Sequence, residues 1–120
     1  MKNGAYDCHS ACSVEAALDV IGGKWKGVIV FHLLSGTSRF NELYRSFQGI
    51  THRMLALQLR ELEEDGVIQR TVYPQVPPKV EYSLTPFGQS LRPILLLMRE
   101  WGEQYTETLT ETKQATQVLD

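Results

Sequence analysis

Arg39-Phe40-Asn41-Glu42-Leu43-Tyr44-Arg45-Ser46-Phe47-Gln48-Gly49-Ile50-Thr51-His52-Arg53-Met54-Leu55-Ala56-Leu57-Gln58-Leu59-Arg60-Glu61-Leu62-Glu63-Glu64-Asp65-Gly66 reads as two helices joined by a tight turn. Phe40, Leu43, Tyr44 and Phe47 recur at helical spacing and predict a short helix over Arg39 to Phe47 with one apolar face. Gln48-Gly49-Ile50 supplies the turn. Thr51 offers a side-chain oxygen to the free N–H groups of the next helix, which predicts an N-cap. Leu55, Leu59 and Leu62 form that helix's inward stripe, and Gly66 stands just past its end. At about 100° per residue, Arg53, Leu57, Arg60 and Glu64 project the other way.

Upstream, Cys12-Ser13-Val14-Glu15 opens an apolar run of Val14, Ala17, Leu18 and Ile21, stopped by Gly22-Gly23. Cys12 stands at the N-cap position of this helix, with Glu15 three residues on. A second apolar helix is expected from Trp25 to Leu34. Downstream, Val67 to Tyr73 and Lys79 to Leu84 alternate as a hairpin, and Pro74, Pro77 and Pro78 stiffen its tip. Thr85-Pro86 starts a last helix, expected over about 86–109 with a kink at Pro93. Residues 1–11 are expected to be a flexible arm and residues 110–120 a polar tail. Residues 12–109 then form one mainly α (α+β) domain, a winged helix-turn-helix with a two-stranded wing and a long C-terminal helix.

The 120 residues fit one domain, and no apolar run is long enough to span a membrane. The first residues lack the apolar core of a signal peptide, so a cytoplasmic protein is expected. A net charge of −2 does not by itself point to nucleic acid. Its distribution does. Between Arg39 and Arg60, four arginines face Glu42 alone, while the acids gather in Glu61, Glu63, Glu64 and Asp65 and again after Glu100. Arg53 and Arg60 lie two turns apart on one face, suited to base edges or phosphates. Leu57 can meet a thymine methyl or be an ordinary exposed leucine, and Thr51 can cap, hold a phosphate, or both. Arg39, His52 and the wing residues Gln75 and Lys79 complete the candidate DNA-contacting set.

Gly22-Gly23-Lys24-Trp25-Lys26 lacks the context of a phosphate loop, and Lys24 and Lys26 read as surface or phosphate contacts. The acids from Glu61 to Asp65 read as a solvated helix end rather than an acid–base pair. No catalytic residue and no cofactor are expected. The reactive chemistry lies in Cys8-His9-Ser10-Ala11-Cys12. A helix N-terminus favours thiolate at Cys12, and Glu15 opposes it. Three readings stand: a thiol sensor, a packing residue with an incidental Cys8, or a metal site of Cys8, His9 and Cys12. The last fits no common zinc template, so no metal is expected. A small thiol enzyme would need a general base and a pocket that the sequence does not specify.

From Cys12 to Trp101 the chain resembles the HxlR-type branch of the MarR-like transcriptional regulators. The resemblance rests on Cys12-Ser13-Val14-Glu15, Ile21-Gly22-Gly23-Lys24-Trp25, Arg39-Phe40-Asn41-Glu42-Leu43, Gly49 to Leu55, Gln58 to Gly66, and Pro77 to Thr85. It implies a homodimeric winged-helix regulator that binds an inverted repeat in double-stranded DNA. Several relatives respond to oxidants or electrophiles through the cysteine that Cys12 matches. Ser13 stands where relatives commonly carry proline, and many lack Cys8.

Leu91, Ile94, Leu95, Met98 and Trp101 form a stripe on a helix that is apolar nearly all round, which predicts a C2 homodimer through it. The expected function is a DNA-binding regulator sensing oxidants or electrophiles through Cys12, with Cys8 in a modifying role. The alternatives are regulation by a non-covalent ligand and a winged-helix interaction module without DNA.

Overall fold

The computed structural model describes residues 10–119, with side chains described from 12 to 114. Its elements are α1 (Ser10–Ile21), α2 (Lys26–Leu33), α3 (Phe40–Ser46), α4 (His52–Glu64), β1 (Ile68–Tyr73), β2 (Lys79–Leu84), α5 (Pro86–Gln89) and α6 (Arg92–Leu119). The described chain divides into two units, one through Ser90 and one from Leu91.

The first unit is a winged helix-turn-helix built around leucine. Ile29, Val30 and Leu33 of α2, Leu43 of α3 and Leu55, Leu59 and Leu62 of α4 are essentially inaccessible, and Val67 and Ile68 extend this core to the base of the wing. The wing is an antiparallel pair in which Ile68 faces Leu84 and Tyr73 faces Lys79. A third, single-residue strand joins it: Ser38 N–H donates to the Tyr82 carbonyl at 3.0 Å, and Tyr82 N–H donates back at 2.8 Å. This bridge, absent from the sequence-based expectation, pins the chain leading into α3 against the wing.

The end of α4 follows from Gly66, whose φ of +76° lies in the left-handed region. There Val67 N–H reaches back to the Leu62 carbonyl at 3.0 Å, closing the last turn and aiming the chain into β1. At the other end of the hairpin, the Thr85 hydroxyl donates to the Gly66 carbonyl at 2.6 Å and accepts from Gly88 N–H at 3.0 Å. One side chain thus caps α5 and clamps both ends of the hairpin. Gly88 is required there because a Cβ would collide with the Val67 carbonyl oxygen.

Three sequence-based boundaries change. Cys12 is not an N-cap: α1 already runs from Ser10, so the last residues assigned to a flexible arm are helical. Alanine at position 11 favours continuation of the helix. The last helix is not one kinked rod over 86–109. The short α5 ends at Gln89, α6 starts at Arg92, and Pro93 occupies the first turn of α6, where a missing N–H breaks no helical bond. Finally, α6 continues through the polar stretch to Leu119, 28 residues or about 42 Å. Among the described residues no helix is long and apolar enough to cross a membrane.

Candidate nucleic-acid interface

The exposed face of α4 is a consequence of its buried one. Leu55, Leu59 and Leu62 are locked into the core, so the opposite side must carry Arg53, Leu57 and Arg60 into solvent, and all three are exposed. The helix starts cleanly because the Thr51 hydroxyl accepts the Met54 N–H at 3.1 Å. Arg39 is the N-cap of α3, and its N–H donates to the Glu42 carboxylate at 2.8 Å. A guanidinium has no acceptor, so its side chain cannot complete a reciprocal cap and stays available on the surface. Gln75 lies at the exposed tip of the wing, and Lys79, half-buried, starts β2. Lys79 Nζ lies 3.4 Å from Glu81 and over the Tyr73 ring. The expected DNA-contacting residues therefore all belong to α4, the N-caps of α3 and α4, or the wing.

Two contacts that hold this surface in shape were missed by the sequence reading. The His52 imidazole, on the first residue of α4, lies flat on Tyr44, with centroids 3.8 Å apart and planes 13° apart. It also lies parallel to Phe40 at 5.9 Å. Phe40 and Tyr44 were expected to share one core-facing stripe with Leu43 and Phe47. Only Leu43 is fully buried; Phe40 and Tyr44 bracket His52, and Phe47 packs on Trp25 and His32 instead. The second contact corrects the reading of Lys26 as a surface or phosphate lysine. Lys26 is 8 % exposed, and its ammonium lies 2.7 Å from Glu61 of α4. Glu61 is thus a structural partner rather than part of a solvated acidic end.

Cys12 lies in α1, half-buried and disulfide-bonded. Cys8 lies outside the described residues. In α6, Ile94, Leu97, Met98 and Trp101 are exposed, and Trp101 packs on Tyr105 at 5.0 Å. Leu95, expected in the same stripe, is only 4 % exposed and so drops out of it; Leu91 is half-buried.

The family description HxlR-like helix-turn-helix matches residues 20–110. The curated relative "Uncharacterized HTH-type transcriptional regulator YdeP" of Bacillus subtilis (strain 168) is 54 % identical over 114 residues, spanning 95 % of this chain and 89 % of its own. Among solved structures, "Redox regulator HypR in its oxidized form" is 63 % identical, with a TM-score of 0.75 over 78 % of this chain and 96 % of that one. The reduced form of HypR is 60 % identical, with a TM-score of 0.80 over 82 % and 98 %.

Proposed function

Because the chain belongs to the HxlR-like helix-turn-helix family of transcriptional regulators, we propose that it is a homodimer that binds an inverted-repeat operator and changes its affinity when Cys12 changes thiol state. The observation that carries the DNA reading is the exposed Arg53–Leu57–Arg60 face on a helix whose other face is fixed in the core. Such a helix enters the major groove N-terminus first, and two of them related by a C2 axis select half-sites about one helical turn apart. Arg53 reads a base edge; Arg39, Thr51, His52, Arg60, Gln75 and Lys79 hold the backbone around it. A DNA partner accords with a cytoplasmic site of action and with a regulatory rather than catalytic role.

The thiol reading is supported by the disulfide-bonded state of Cys12 and by similarity to a redox regulator with oxidised and reduced structures. Cys12 lies near the start of α1, so an adduct or a disulfide bears on how that helix is held. A coupling of about 1–3 kcal/mol between thiol state and operator binding suffices for regulation. Cys12→Ser is expected to bind operator normally and to lose its response to diamide or electrophiles, whereas Cys8→Ser only modifies the response. The test is a DNA-binding titration beside mass spectrometry of the treated protein. A Cys12→Ser protein that responds like the wild type would make Cys12 a packing residue and shift the trigger to a non-covalent ligand. Arg53→Ala is expected to cost about 1–3 kcal/mol on operator DNA and to relax base preference.

A further inference from the structure

A cleft of about 540 Å³ opens between the start of α3 and the tip-side start of β2 in the wing. Arg39 and Arg45 line it from α3, Lys79 from β2, and Phe40, Pro78 and Val80 supply apolar wall. The reciprocal Ser38–Tyr82 hydrogen bonds join its two sides. The one carboxylate on the lining, Glu42, is already engaged by the Arg39 N–H. Lys79 is partly neutralised by Glu81, but neither Arg39 nor Arg45 has a carboxylate partner among the described residues. Two unpaired guanidinium groups and an ammonium around one cleft match a tetrahedral oxyanion, which offers oxygens in several directions. The cleft is also continuous with the reading surface: Phe40, on its wall, lies parallel to the His52 ring that starts α4.

We propose that this cleft is a phosphate seat, in which Arg39, Arg45 and Lys79 take a backbone phosphate of operator DNA outside the bases that α4 reads. The proposal rests on the DNA-binding reading above and adds to it a site and a residue, Arg45, that the sequence did not single out. The seat carries no sequence information; it sets the register of α4 and the salt dependence of binding.

The test uses the full chain and its exposed Arg45, whose replacement leaves the core untouched. Arg45→Gln is expected to weaken cognate and scrambled duplexes equally, several-fold, and to lower the slope of log affinity against log salt by about one. A single neutral methylphosphonate linkage at the seated position weakens the wild type more than it weakens Arg45→Gln, in which Arg39 and Lys79 alone still hold the phosphate. Unchanged affinity and slope in Arg45→Gln, with circular dichroism matching the wild type, overturn the proposal. Pyrophosphate titrated into DNA-free protein separates the two phosphate sources. Weak binding in the millimolar range accords with a DNA seat; micromolar binding that Arg45→Gln abolishes, with an unaltered duplex slope, assigns the cleft to a free anion and overturns the DNA assignment. If Arg53→Ala loses base preference while Arg45→Gln keeps its slope, the seat alone fails. If the wild type binds no duplex in a salt-dependent way, the reading of α4 fails first.

Discussion

Burying an ammonium is costly unless a carboxylate meets it. Lys26 meets Glu61 at 2.7 Å, and because Glu61 belongs to α4, the pair ties the reading helix to α2. Its two halves are unequal: the lysine side chain is 10 % exposed, the glutamate 41 %. Glu61→Gln strands a buried charge, whereas Lys26→Met leaves a carboxylate that water can reach. Glu61→Gln is therefore expected to destabilise the protein by about 1–3 kcal/mol, and more than Lys26→Met does. Urea unfolding of both variants checks this; the reverse order would show that the ammonium reaches solvent. Local spacing could not reveal the pair, because Lys26 and Glu61 are remote in the chain and each, read alone, is an ordinary surface residue. The same holds for His52, whose aromatic bracket comes from a neighbouring helix. The outward arginines were legible for the opposite reason: three leucines on one helix fix its orientation without knowledge of what they pack against.

At the scale of elements, Gly66 and Thr85 decide where the hairpin begins and ends. Gly66→Ala places a Cβ at a φ of +76° and is expected to cost about 1–2 kcal/mol. Thr85→Ala removes the cap of α5 together with the bond to the Gly66 carbonyl, and a loss of about 1–2 kcal/mol is expected. The two changes act on one junction, so the double variant should lose less than their sum. Thermal unfolding of the three variants measures this, and strict additivity would show that the two ends of the hairpin are independent. Both ends of α4 were readable because Thr51 and Gly66 act within one turn of themselves. The break between α5 and α6 was not: a proline in a first turn and a proline inside a helix look alike in sequence. The Ser38–Tyr82 bridge was illegible too, since one pair of residues has no periodicity.

For the molecule as a whole, the decisive surface is the exposed stripe of Ile94, Leu97, Met98, Trp101, Tyr105 and Leu109 along α6. Its spacing of three and four keeps these side chains on one side of the helix. The proposed dimer covers this stripe. Replacing Met98 and Trp101 together by glutamate is expected to give a monomer in sedimentation at micromolar concentration, with helical content retained and operator affinity reduced because each half-site is then bound alone. A monomeric wild type under the same conditions would refute the dimer. The chain has two tryptophans, and they sit in unlike places: Trp101 is 58 % exposed on the stripe, while Trp25 packs against Phe47 with its indole nitrogen buried. In the proposed dimer, Trp101 therefore serves as an optical gauge of assembly. In a Trp25→Phe background, the emission of Trp101 should move to shorter wavelength as subunits associate and back to longer wavelength on dilution, so that subunit exchange can be timed without attaching a dye.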